Sequence, residues 1–398
     1  MSLVYFNAFL YIVALLVHWY RTKRFDCAFV IWLTYAFTAI MCVYNYSLHP
    51  EYWQDLSIVR FLYLFFVVVL FILPFSKLDI RNDNFKITET KIVKLLTWLF
   101  IISGIFVIYY TFNNAAELII ESEWNDLRSE FYEDADNIEL YSSSLERLMK
   151  NLNSYLSPLG MVMAFCALTK QKKNKIFAIL LFLVWILPEF LNATLTASRG
   201  RLVYLLIKIV LCYVLFKNMM SSKTKRFLIF AAIALVAVFS VYLIAVTESR
   251  FEDDAANSVY YYLGHSMLSF NDGVMNSLHT FTSGEYMFSW FIEKIREVEV
   301  VSWTELGATH GSAFMTFVGG LYRDFGPFGT IVFAGVFIGF MSLLVRRKQY
   351  ELHHMILLVC FISYILDGVM VIKPGIALQW FMVCVVAYIV KLSSKMRI

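Results

Sequence analysis

RFLIFAAIALVAVFSVYLIAVT, residues 226–247, carries no charge after its opening arginine. A run of about 20 predominantly apolar residues is the length that crosses a bilayer as a helix. Ten further runs of the same kind occur, at about 2–20, 25–46, 59–76, 93–113, 152–169, 176–192, 201–216, 326–345, 353–371 and 375–391. They are continuous rather than alternating, which excludes a transmembrane β-barrel. Six prolines and sixteen glycines are few for 398 residues, so long unbroken helices are expected. Composition agrees: 60% of residues are apolar and 16% charged, against roughly 45–50% and 25% in soluble domains. With a mean hydropathy of +0.66, this excludes a water-soluble enzyme and a disordered chain. A net charge of +4 spread over the whole length excludes a nucleic-acid binder. The fold class is an all-α polytopic membrane protein with about 11 (10–12) transmembrane helices, one integral membrane domain over 1–398.

The connections between runs sort by charge. Those at 21–24, 77–94, 170–175, 217–226 and 346–348, with the tail from Lys391, hold 22 of the 34 Lys and Arg, while only Asp26, Asp79, Asp83, Glu89 and Glu351, 5 of the 30 Asp and Glu, lie on their side. They fall on one side of every alternation, which the positive-inside rule makes the cytoplasm. The N-terminus is then outside and the C-terminus cytoplasmic. No cleavable signal peptide is expected, because no basic residue precedes the first run and no small-residue site follows it. Two large external loops result, about 114–151 and 248–325. The second contains helical periodicity at Met287, Trp290, Phe291, Lys294 and Ile295. The six cysteines lie in or beside apolar runs without any C-x-x-C pair and read as small buried hydrophobes. The seven histidines are scattered, so no metal and no cofactor is expected.

Charges at the membrane edge are costly and are the first functional candidates. Arg199 and Arg201 lie at the outer mouth of the seventh run, and Lys208 lies two turns deeper on the face of Arg201. A cationic stripe entering the membrane from outside suits an anionic headgroup whose tail lies in lipid, and arginine's planar fork matches phosphate oxygens. The second candidate stretch is THGSAFMTFVGGLYRDFGPFGTIVFAGVFIGF, with His310, Tyr322, Arg323 and Asp324. Residues 311–322 are too few to cross and read as a re-entrant or interfacial helix. Arg250 belongs to a charge run after the eighth span. The plainer readings are interfacial anchoring for Arg199 and Arg201, a carboxylate partner for Lys208, and a local ion pair for Arg323 with Asp324. His265 and His279 read as structural.

Thr196-Ala197-Ser198-Arg199-Gly200 at a span start, and Gly319-Gly-Leu-Tyr-Arg-Asp-Phe-Gly-Pro-Phe-Gly329 before a glycine-bearing span, resemble the Wzy-type O-antigen and capsule polymerases. The architecture of spans and external loops resembles that family over nearly the whole chain. Arg296, eleven positions before Gly307, adds an R-x10-G spacing remarked on in such polymerases. The related O-antigen ligases use external arginines and a histidine comparable in place to His310, although Gly311 departs from their pattern. The resemblance implies a GT-C-like fold in the bacterial cytoplasmic membrane and metal-independent inverting glycosyl transfer on its outer face. The substrates would be polyprenyl-pyrophosphate-linked oligosaccharides in contact with membrane lipid, and a chain-length regulator protein would be a partner. Arg199, Arg323, His310 and Asp324 would be catalytic, and Arg201, Arg250, Tyr322 and Lys208 would bind substrate. The rivals are a ligase-like or other polyprenyl-linked glycosyltransferase and a polysaccharide flippase or transporter. A glycosyltransferase with an acidic pair in its first outer loop is disfavoured, because that loop offers Glu51 and Asp55 but no adjacent pair.

Overall fold

The computed structural model describes residues 2–81, 83–121, 143–169, 174–195, 199–251, 263–296, 301, 303, 305–308, 314–370 and 374–396, with the side chains of 114–121, 195, 199 and 242–251 left out. The long helices are α1 (Ser2–Thr22), α2 (Cys27–Leu48), α3 (Ile58–Ile72), α4 (Lys91–Glu121), α5 (Ser144–Ala167), α6 (Lys175–Leu195), α7 (Arg199–Phe216) and α8 (Ser222–Phe251). After the short α9 (Ser289–Arg296) come α10 (Thr316–Val345), α11 (Leu352–Asp367) and α12 (Ile376–Met396). Each apolar run of the sequence falls on one of them. Among the described residues nine helices are long and apolar enough to cross a membrane. The fifth run lies on α5, whose first turns are polar, and the tenth on the shorter α11. The chain is a polytopic α-helical membrane protein. Helix α8 makes the case by itself: over Ser222–Val241 only 6% of the stretch is buried, at a mean hydropathy of 1.9. A helix apolar all round and hardly covered by protein is stable only in lipid.

Two helices reach further than the hydropathy runs, so less of 114–151 is loop than the sequence suggests. Helix α4 continues to Glu121 through Ala, Leu, Ile and Glu, which are good or neutral helix formers. Helix α5 begins at Ser144, where the Ser143 hydroxyl accepts the Glu146 N–H at 3.2 Å. Ser143-x-x-Glu146 is the spacing of a capping box, which satisfies helix-end donors before any apolar residue appears. Pro158 sits inside the same helix, as lipid-spanning helices allow.

Two compact units divide the chain. The second contains Ile80–Ala255, Lys348–Cys360 and Met382–Ile398. In it α4, α5 and α6 pack together, with the Asn153 amide donating to the Phe100 carbonyl at 3.3 Å. A short parallel pairing joins Phe85 to Tyr350 and Lys86 to Glu351, and the Thr90 hydroxyl donates to Ser393 at 2.9 Å.

The first unit contains Met1–Asp79, Ala256–Arg347 and Phe361–Phe381. In it α1 packs on α2 and α3, α3 packs on α10, and the stretch 264–274 belongs to its core. This stretch falls within the expected second external loop, yet 264–274 are all buried. It runs as an α-helix to 269 and as a π-turn over Phe270–Val274. Gly264 allows the crossing: a Cβ there would lie 2.3 Å from the Met41 carbonyl oxygen on α2. The Cys42 thiol donates to the Gly264 carbonyl at 2.9 Å. Helix α10 is broken at Gly326, whose φ of +66° and ψ of −174° are open to glycine and not to other residues. The break folds the helix back on itself. Phe317 and Phe337 lie at 4.7 and 4.6 Å from the same ring, Phe71, whereas in a straight helix they would be about 30 Å apart. Residues 316–325 therefore form a short arm that turns back at Gly326; the part of the expected short helix at 311–313 lies outside the described residues.

Candidate functional site

The last turn of this arm carries Tyr322, Arg323 and Asp324, and all three are buried. Arg323 is 1% exposed. Its guanidinium lies 4.5 Å from the ring of Tyr286 and 4.5 Å from that of Trp303. The two rings meet at 5.4 Å and 68°, so the cation occupies an aromatic corner. One terminal nitrogen donates to the Val301 carbonyl, while Nε is buried without a hydrogen-bond partner among the described residues. Cation–π contacts of this kind contribute about 0.5–2 kcal/mol each. They do not neutralise the charge, and an N–H of a charged group without an acceptor is costly.

Asp324, 1% exposed, faces elsewhere. Its Oδ1 accepts the Thr282 hydroxyl at 2.5 Å and the Tyr286 N–H at 3.0 Å, and Oδ2 accepts the Met287 N–H at 2.8 Å. The same loop caps the arm: the Thr282 and Ser283 N–H groups donate to the carbonyls of Arg323 and Asp324 at 3.1 and 2.8 Å. These carbonyls lie in the last turn of the helical arm, where partners within the helix run out. The loop is tied in turn to the start of α12, with the Gly375 N–H on the Tyr286 carbonyl at 2.9 Å and the Ala377 N–H on the Met287 carbonyl at 3.1 Å. Asp324 thus fixes the loop that carries one of the two rings on Arg323. Burial raises the Tyr286 phenol above its ordinary value, Asp324 adds to the rise, and Trp303 and Arg323 draw it back. The ring over the guanidinium is therefore neutral at physiological pH.

Tyr322 is enclosed by Tyr63, Phe270 and Phe281, whose ring centroids lie 6.1, 6.1 and 5.6 Å away, all edge-on. No protein-family model, curated protein or solved structure matches the chain. The site is therefore read from its own geometry. The Tyr63 hydroxyl donates to the Pro327 carbonyl at 2.7 Å, pinning the tip of the arm to α3. Arg60, one turn earlier on α3, lies within electrostatic reach of the Tyr322 hydroxyl. It donates to the carbonyls of Asp55 and Asn271 at 2.5 and 3.2 Å and to the side-chain oxygen of Asn276. Sequence reading passed over Arg60, because an arginine at the first turn of an apolar run looks like an ordinary interfacial anchor.

Of the other candidates, Arg199, Arg201, Lys208 and Arg250 belong to the second unit. Arg201 lies in the first turn of α7 and is half-buried, and Lys208 lies two turns on, one turn before the buried Cys212. Lys150 is an exposed residue, yet its ammonium is held below the ordinary lysine value, first by the protein around it and then by the like charge of Arg201, with Glu189 acting the other way. Arg201 and Lys150 thus form a cationic patch at the head of α7. Arg199 is the first residue of α7 and Arg250 lies near the end of α8, and their side chains are outside the described residues, as is all of His310. His265 packs against Trp53 at 5.0 Å, edge to face. Five of the six cysteines are buried and all are free.

Proposed function

We propose that the chain is a Wzy-type polymerase that joins polyprenyl-pyrophosphate-linked oligosaccharide repeat units on the outer face of the bacterial cytoplasmic membrane. In this reading eleven helices span the membrane in a GT-C-like arrangement, with the N-terminus outside and the C-terminus cytoplasmic. The observation that carries it is Arg323: a sealed guanidinium in the last turn of the short arm, faced by two rings and holding an unspent N–H. An ionised side chain inside a membrane protein is a functional site by default. A site made of cation and aromatic faces, with its neighbouring carboxylate spent on the loop, favours an anionic ligand.

The acceptor sugar's hydroxyl oxygen attacks C1 of the first sugar of the growing chain. The bond from C1 to the pyrophosphate oxygen breaks, and polyprenyl pyrophosphate leaves with the electron pair. The hydroxyl proton passes to a base, for which His310 is the candidate. Arg323 neutralises the charge growing on the leaving pyrophosphate, which lowers the barrier without a metal. Tyr322 lines the sugar side, and the cations of the second unit, Arg199, Arg201, Arg250 and Lys208, are a phosphate-holding set of their own. Asp324 acts through the loop 282–287 by setting Tyr286 against the guanidinium. A chain-length regulator would be the protein partner.

The test is deletion of the chain in its source cell and complementation with wild type or Arg323→Lys. Loss of long polysaccharide with build-up of single repeat units, restored by wild type alone, supports the reading. Lysine lacks the planar fork. Loss of one charge-assisted bond of about 1.5–3 kcal/mol in the transition state lowers polymerisation roughly tenfold to a hundredfold. Unchanged polymer after deletion refutes it.

A further inference from the structure

Where α3 begins, three planar side chains converge. The guanidinium of Arg60 donates to the Asp55 carbonyl and the Asn276 side-chain oxygen, and the Asn276 amide donates to the Asp55 carboxylate at 3.4 Å. The residues come from two segments far apart in sequence, and a second polar clasp holds those segments in register. The Ser57 N–H donates to Asn271 Oδ1 at 2.9 Å, and the Asn271 amide donates back to the Ser57 carbonyl at 2.8 Å. Asn271 is fully buried, so this is a built junction. Asp55, by contrast, is exposed, and among the described residues its carboxylate accepts the Asn276 amide at the long distance of 3.4 Å. The cluster therefore presents a carboxylate with acceptor capacity, an amide with a second N–H and a guanidinium with further donors. Beside it, Tyr322 has its hydroxyl within reach of Arg60 and its ring against Phe281, which is 41% exposed.

The chemistry selects the ligand class. A phosphate at this place would be repelled by the Asp55 carboxylate, and a metal ion or amine by Arg60. A neutral polyol suffers neither. Each sugar hydroxyl both donates and accepts, and a carboxylate, an amide and a guanidinium each offer two polar atoms in one plane, fit to engage two neighbouring hydroxyls. The apolar face of a sugar ring packs on an aromatic side chain such as Phe281. We infer that Asp55, Asn276 and Arg60, with Phe281, form a sugar-binding subsite that receives the residue next to the pyrophosphate. Tyr322 connects the two halves, since its ring packs on Tyr63, one turn after Arg60 on α3, and the next residue is Arg323. The inference rests on the polymerase reading and names the side chains that would read its sugar.

The experiment uses the deletion strain complemented with the full chain, measuring long polysaccharide per chain present in the membrane. Asp55→Asn keeps the side-chain shape and removes the charge. It should lower long product at least tenfold per chain, Asn276→Ala should do likewise, and Glu51→Gln in the same loop should behave as wild type. Normal product per chain from Asp55→Asn and Asn276→Ala, while Arg323→Lys loses it, overturns the subsite and leaves the polymerase reading standing. Polysaccharide that survives deletion of the chain overturns both.

Discussion

Replacing Asp324 by alanine removes three hydrogen bonds at once: those from the Thr282 hydroxyl and from the N–H groups of Tyr286 and Met287. The Thr282 hydroxyl can rotate to another acceptor, but the two backbone donors cannot. Each buried N–H left without a partner costs about 1–3 kcal/mol, so the pair costs about 2–6 kcal/mol. A carboxylate at the C-terminal end of a helix is disfavoured by the helix dipole by about 0.3–1 kcal/mol, which the substitution relieves. The net expectation is a destabilisation of about 2–5 kcal/mol. Asparagine keeps one carbonyl oxygen for Thr282 and Tyr286 but turns an amide N–H₂ toward the Met287 N–H, so about 1–3 kcal/mol is expected there. The assay is hydrogen exchange of the purified full chain in detergent, read on peptides covering 282–289. A local loss of 2 kcal/mol speeds exchange by well over tenfold, at 1.4 kcal/mol per decade. Peptides from α4 to α6 in the second unit serve as the internal reference. Exchange in 282–289 that stays within twofold of wild type in Asp324→Ala would refute the clamp.

A reporter active only in the cytoplasm should give signal when fused after residue 220 and none after residue 135, and the reverse would invert the outer assignment of every candidate. Polymerisation by the purified chain should persist in excess chelator, and abolition rescued by magnesium or manganese would contradict arginine as the source of positive charge. Gly264→Ala places a Cβ against the α2 backbone at 2.3 Å, so overpacking of about 1–3 kcal/mol should appear as a lowered unfolding midpoint in detergent; an unchanged midpoint would mean the crossing has slack. Arg199→Lys should lose most long product while Arg147→Lys, in the exposed first turn of α5, retains it, and full activity of both would return Arg199 to anchoring.

The helices were legible because lipid acts on each residue nearly independently of its tertiary neighbours. A run such as 226–247 must be helical wherever it packs, since its backbone groups find no water to bond. Helix ends were less legible where they leave lipid, as at Ser143 and Glu146, because hydropathy fades there and capping takes over. The segment 264–274 was read as part of an external loop for a different reason. Its His, Ser, Asn and Asp residues look like solvated surface. Asn271, however, is satisfied by the backbone of Ser57 and sealed by burial. A polar residue that finds its partner two hundred positions away carries no local mark of being buried.

Arg323 and Asp324 show where legibility stops within a single motif. The dipeptide at a span start reads naturally as a local ion pair, and that reading would have made both residues inert. Helical geometry argues against it, because adjacent residues on a helix do not face each other. One side chain is turned toward Trp303 and Val301, the other toward the loop 282–287. Placement at the helix end also separates their needs. The cation is favoured there by the helix dipole and the carboxylate is not, so Asp324 requires the donors of the loop, while Arg323 is favoured further by the nearby carboxylates of Asp324 and Glu285. Tyr286 then does two things through different atoms: its N–H satisfies Asp324 and its ring covers Arg323. The anion takes up the loop's donors, and the cation is left with an N–H for a ligand.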